Sequence, residues 1–140
     1  MAEGTASHAE GWNTQALHTG AHAEGEKTTA FGKSSHASGY SYKSLIGASH
    51  SSYKDEDDNV IVLDADSPIE DIEQVWLKTG KDSAFNASVG NYSHTEGINT
   101  LATGAGAHVE GRGTLAKGKY AHAEGTVAKA YGEASHAEGQ

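Results

Sequence analysis

The chain has 140 residues, a formal net charge of −9 and no cysteine, and only 36% of its residues are hydrophobic. That excludes a disulfide framework and a Cys-ligated metal site, and it disfavours duplex nucleic acid as a partner. With 18 glycines but only 2 Phe, 2 Trp and 1 Met, the chain is also too poor in large apolar side chains for an ordinary compact core.

From the N-terminus, histidine marks a period. His8, His22, His36 and His50 are spaced by 14, and His94, His108, His122 and His136 repeat that spacing; His18 stands outside it. The unit reads His-Ala-Glu-Gly-x-x-Thr-x-Ala-x-Gly-x-x-Ser/Ala, which is two similar halves of seven residues. Glycine every seventh residue would cost a helix about 1 kcal/mol each, so a coiled coil is excluded. The local pattern has period two and ends in glycine, as in Ser7-His8-Ala9-Glu10-Gly11. It predicts a short strand closed by a tight turn, with glycine supplying φ > 0. Gly11, Gly25, Gly39, Gly97, Gly111, Gly125 and Gly139 hold the turn after His-x-Glu or its variants, and a second ladder of glycines lies half a period away. Two strands per 14 residues describe one coil of a β-solenoid. Residues 1–50 form the first roll segment.

Residues 51–80 break the period and carry −7 of the formal −9. Val60-Ile-Val-Leu63 predicts a strand. Ser67-Pro68-Ile69-Glu70 is a capping box with proline at the first helical position. Ile69, Ile72, Val75 and Trp76 would share one face of a short helix that Gly80 can end. The segment is expected to be a small strand-plus-helix unit, either a collar packed on the roll or a recognition knob, with Val60, Val62, Ile69, Ile72 and Trp76 as its candidate contacts. Asp55-Glu-Asp-Asp58 lacks the layout of an EF-hand loop.

Residues 81–140 resume the roll as one continuous body with residues 1–50. The stretch from Gly80 to Gly90 reads as a degenerate repeat, which gives nine coils and a rod about 45 Å long at 4.8 Å per coil. Alternation places the Ser/Thr/Ala positions inward and His and Glu outward. One outer face carries His8/Glu10, His22/Glu24, His36, His50, His94/Glu96, His108/Glu110, His122/Glu124 and His136/Glu138. The other is irregular: Gln15/Leu17, Thr29/Phe31, Lys43/Leu45, Leu101/Thr103, Leu115/Lys117 and Lys129/Tyr131. A row that repeats so strictly implies the same environment in every coil. A symmetry-related copy supplies that, so the His/Glu row is assigned to a subunit interface. The same row admits a scaffolding role, metal ligation by converging histidines, or a pH response with weaker assembly near pH 4 to 5; scaffolding is the reading adopted, with no metal or cofactor assigned.

These Ser-His-Ala-Glu-Gly copies, joined by Thr-x-Ala-x-Gly, resemble the head repeats of YadA-type trimeric autotransporter adhesins, in the His-Ala-Glu-Gly form of phage tail fibres, spikes and appendages. The resemblance covers about 110 residues, all outside the insertion. It implies an all-β, left-handed parallel β-roll with three chains around one axis. In the adhesins the slots of His8 and Glu10 hold Val and Ile facing the trimer interior; here an apolar seam becomes ionisable. His36-Ala-Ser-Gly and His50-Ser-Ser-Tyr depart further, since both lack the Glu.

The functional expectation is a structural homotrimeric fibre or adhesin module of a virion, a phage tail or appendage, with a host-surface glycan or protein as a possible ligand. The absence of a leader-like N-terminus and of an apolar anchor favours that setting over a bacterial cell surface. The alternatives are a part of a glycan-processing tail spike and a bacterial adhesin head. No catalytic set is expected, because repetition argues against one unusual place. No nucleic acid and no membrane insertion are expected.

Overall fold

The structure is a computed structural model, and it describes residues 1–41, 51–54, 60–63, 68–78 and 85–139, with side chains left aside at 51–54, 60–63 and 78. His50, Lys43, Leu45, Ser67, Gly80 and the Asp55–Asp58 run, all singled out above, lie outside the described residues.

Most elements are short strands in two parallel sheets, which together form a β-solenoid. The first sheet stacks His8–Trp12, His22–Glu26, His36–Ala37, His94–Ile98, His108–Arg112, His122–Ala123 and His136–Ala137, in that spatial order. The second stacks Gln15–Ala16, Thr29–Ala30, Ala87–Ser88, Leu101–Ala102, Leu115–Ala116 and Lys129–Ala130. Register is strict: His8 lies opposite His22, Ala9 opposite Ala23, and Glu10 opposite Glu24. Seven rungs span about 30 Å at the usual strand spacing, two rungs fewer than the sequence count.

The difference lies at the insertion. The neighbour of His36 is His94, and the neighbour of Thr29 is Ala87. The step after His36 is therefore taken by His94, and no rung of the described sheet separates them. The degenerate repeat contributes Ala87–Ser88 as a strand of the second sheet, completing the coil that His36 begins. One coil is thus divided around the insertion, with Tyr40 bridged to both Glu26 and Ile98 on one side of the gap and Phe85 on the other.

Between the sheets the core is alanine. Ala16, Ala21, Ala23, Ala30 and Ala37 form one cluster; Ala102, Ala107, Val109, Ala116, Ala121, Ala123 and Ala130 form another. A methyl is the largest group that most of this narrow interior accepts. The divided coil separates the two clusters with a buried polar network. Asn86 Nδ2 donates to the Ser38 carbonyl at 2.7 Å, and the Thr95 hydroxyl donates to Asn86 Oδ1 at 2.8 Å. The Asn86 backbone N–H donates to Ser41 Oγ at 2.6 Å, and Ser88 Oγ donates to the His36 carbonyl. Such a network is favourable only when its buried groups find partners, and here it ties the departing strand to the returning one.

The glycines are required for two different reasons. Gly25 sits at φ +103°, and a Cβ there would strike the Gly39 carbonyl oxygen of the next coil. The second ladder is not in the left-handed region. At Gly104 the reason is contact alone, since a Cβ would strike the Gly118 carbonyl. The left-handed places half-way around the turns are held mostly by other residues, among them Ser34, Tyr92, Tyr120 and Val127.

The large apolar residues gather outside the roll. The helix Ile69–Lys78 lays Ile72, Val75 and Trp76 on Leu17, Phe31, Ala87, Val89, Leu101 and Leu115 of the second sheet's outer face, with Phe85 beside them. Acidic Glu70 and Asp71 occupy its first turn, where they complement the helix dipole. Ile69, expected on the same face, is 41% exposed; it is the first residue of the helix. Val60–Leu63 is a strand, as the sequence indicates, and pairs antiparallel with Ser51–Lys54, which the sequence reading had not assigned.

Candidate functional site: a histidine–glutamate ladder

The first sheet's inward side is filled by Ala9, Ala23, Ala37, Thr95, Val109, Ala123 and Ala137, so its alternate positions must project outward. Those positions are His and Glu. In-register parallel pairing puts each histidine directly over the last, at the strand spacing. His22, His36, His94, His108, His122 and His136 stack face to face with ring centroids 4.7–4.9 Å apart and planes within 12°. Only the end ring departs: His8 meets His22 edge-on, at 82°.

Serine before histidine has a local task. Ser35 Oγ donates to the Gly32 carbonyl at 2.7 Å, and Ser7, Ser93 and Ser135 do the same to Gly4, Gly90 and Gly132. The hydroxyl closes the turn that aims the following histidine. On the other side, Thr28 and Thr114 donate to the carbonyls of Glu24 and Glu110, holding the turn after the glutamate. These hydroxyls fix the turn before the histidine at four strands and the turn after the glutamate at two others.

Glutamates line the row beside the imidazoles. Within a rung, Nε2 lies 3.9 Å from the carboxylate in His22–Glu24, 3.7 Å in His94–Glu96 and His108–Glu110, and 3.8 Å in His122–Glu124. Two carboxylates also reach the next rung: Glu24 Oε1 is 3.3 Å from His36 Nε2, and Glu124 Oε1 is 3.5 Å from His136 Nε2. At His36 the slot of the missing glutamate is taken by Ser38, so Glu24 serves both rungs. The Nε2 atoms of His22, His94, His108 and His122 are buried and have no hydrogen-bond partner among the described residues. Their side chains as a whole are 37–39% exposed, so the face is partly open while these nitrogens are enclosed. Burial, with the stacked His36 and His108 as the next cause, holds the His94 imidazole below its ordinary range. At the exposed end, the hydrogen bond from His8 holds Glu10 below the usual carboxylate range.

Of the residues expected at an interface, His8, Glu10, His22, Glu24, His36, His94, Glu96, His108, Glu110, His122, Glu124, His136 and Glu138 share this one face. Gly11, Gly25, Gly39, Gly97, Gly111, Gly125 and Gly139 all sit at positive φ beside it. Ile72 and Trp76 are buried against the opposite sheet, and Val60 and Val62 lie on the hairpin strand. The sequence reading missed the groups that hold the helix down. Lys117 Nζ lies 3.0 Å from Glu73 Oε1, whose side chain is only 8% exposed, and Trp76 Nε1 donates to the Phe85 carbonyl at 3.0 Å. The signal was present in the irregular outer face, where Leu17, Phe31, Leu101 and Leu115 are too large and too apolar for solvent. Among the described residues no helix is long and apolar enough to cross a membrane.

Comparison with models of protein families, with curated proteins and with solved structures finds no match to this chain.

Proposed function

We propose that this protein is a structural module of a homotrimeric fibre or adhesin, of the kind found in phage tail fibres, spikes and appendages, built from left-handed coils of 14 residues. The observation that carries this reading is the asymmetry of the two outer faces. The second sheet is covered by the chain's own helix, whereas the histidine sheet presents seven histidine rungs, and Nε2 of His22, His94, His108 and His122 is enclosed without a hydrogen-bond partner among the described residues. Two further copies of the same face would give every rung the same surroundings and supply hydrogen-bond partners to those nitrogens. The helix that covers the irregular face, and the hairpin, remain outward, where a host-surface glycan or protein would be met. A repetitive ladder suits a scaffold rather than a catalyst, because no rung differs enough to concentrate an activity.

The test is substitution along the ladder. Replacing His22, His94, His108 and His122 together by alanine should convert a trimer into a monomer in light scattering while the strand signal in circular dichroism persists. An unchanged oligomeric mass with unchanged heat stability would reject the interface.

A further inference from the structure

The histidine face is flanked by two ladders of turns, and their exposed side chains are not scattered. On the edge before the histidines the turns stack in register: the Tyr92 N–H donates to the Lys33 carbonyl, Gly106 to Asn91, and Tyr120 to Ala105. On the opposite edge Asn99 donates to Tyr40, Gly113 to Ile98 and Val127 to Arg112. Tyr92 and Tyr120 are 64% and 61% exposed on the first edge, and Ile98 and Val127 are exposed on the second. The two edges match by rung. Tyr92 and Ile98 share the rung of His94, and Tyr120 and Val127 share that of His122. Between them, the rung of His108 has Gly106 on the first edge, and the Tyr120 ring lies over it, 2.7 Å from where a Cβ would stand. Trp12, on the rung of His8, is exposed on one edge only, opposite Ala6. Tyr92, Tyr120 and Val127 also hold positive φ, where a bulky or β-branched side chain is disfavoured. Within one roll the matched residues cannot touch, because the strand His94–Ile98 keeps the edges about 13 Å apart.

We propose that these edges are the seam between copies of the chain: parallel rolls meet unlike edge to unlike edge with rungs level, Tyr92 packing on the partner's Ile98 and Tyr120 on the partner's Val127. This rests on the homotrimer reading and adds to it the direction and register of the copies. Rotation about an axis parallel to the roll keeps each rung at its own height and carries the first edge of one copy to the second edge of the next. Apolar surface is then covered on both edges at once. The charges fit the same register. Lys33 comes level with the partner's Tyr40, and Lys119 with the partner's Thr126. Arg112 comes level with the partner's Gly106, under the partner's Tyr120 ring, where a cation is attracted to the aromatic face. Among the described residues no two like charges are opposed on a level rung. Antiparallel packing instead brings like edges together with the rung order reversed. The arrangement of that kind that joins Tyr92 to the partner's Tyr120 is centred on His108. It opposes Arg112 to the partner's Arg112, which is unfavourable, and leaves the His8 and His22 rungs without a described counterpart.

The experiment is cross-linking by introduced cysteines, in a chain that has none of its own. The full chain carrying Tyr92→Cys with Ile98→Cys, mildly oxidised, should give covalent dimers and trimers on a denaturing, non-reducing gel. A disulfide joins Cα atoms about 4.4–6.8 Å apart, so this pair cannot close within one chain. Tyr120→Cys with Val127→Cys is a second, independent level pair and should behave alike. Tyr92→Cys with Val127→Cys, two rungs out of register, should stay as single chains. Cross-links between copies formed by Tyr92→Cys with Tyr120→Cys, or by Tyr92→Cys alone, would mark like edges in contact and overturn the proposal. The solution mass of the natural protein separates the two readings. A trimer that cross-links in neither level pair overturns the seam and leaves the homotrimer standing; a monomer overturns both.

Discussion

At the scale of single residues, the fold is a set of backbone approaches that tolerate nothing beyond hydrogen at Cα. Gly25→Ala meets both a φ of +103° and the carbonyl of Gly39, and should destabilise the fold by about 3 kcal/mol or more in denaturant titration. Gly139→Ala meets the same φ with open space around it, and should cost about 1 kcal/mol. Equal losses at the two positions would show that coil-to-coil contact is not the reason for the ladder. Val127 tests the complementary case. It is β-branched yet held at φ +61°, which costs about 1–2 kcal/mol for an L-residue. With the ladder histidines replaced, so that single rolls are compared, Val127→Gly should therefore raise stability by about 1 kcal/mol, read from the same titration. The glycine period itself is plain in the sequence. That the Gly104 ladder is needed for contact and the Gly25 ladder for φ as well is not, because both appear as glycine every seven residues.

Among the elements, the helix is the one that joins a non-repetitive segment to a repetitive one. Trp76 packs in the apolar cluster and donates to the Phe85 carbonyl. Trp76→Ala should lower stability by about 3–5 kcal/mol, checked by thermal melting, with Trp76→Phe recovering much of the packing but not the hydrogen bond. The Lys117–Glu73 pair makes a pH-dependent contribution. The hydrogen bond and charge of Glu73 raise the Lys117 ammonium above its ordinary value, so the pair's contribution is complete below the usual lysine range, about 10.4. It is lost as pH climbs through the raised value. Melting temperature should fall more steeply above about pH 10.5 in the natural protein than in Lys117→Met; parallel curves would contradict the assignment. Helix and hairpin strand were both legible, from the capping box and the Val-Ile-Val-Leu run. The return point was not. His50 continues the spacing of 14, so the repeat reads as intact past the place where the roll divides. The decisive contacts, Asn86 with Ser41 and with Ser38, join residues far apart in sequence and carry no local signature.

For the whole molecule, two deficits noted in the sequence have different remedies. The shortage of large apolar residues is met by an alanine interior plus one external cluster under the helix. Among the described residues nothing of the kind covers the histidine face, and a histidine stands at every rung from His8 to His136. Periodicity made the solenoid and the location of this face readable; which of the two outer faces the insertion covers depends on packing that no periodicity encodes. The central claim is that the uncovered ladder joins three copies. Sedimentation equilibrium across a wide range of protein concentration tests it most directly. A single species of three times the 14.5 kDa chain mass is predicted, reduced to one chain mass when the ladder histidines are replaced. A monomer at every concentration, or a trimer indifferent to those replacements, would contradict it.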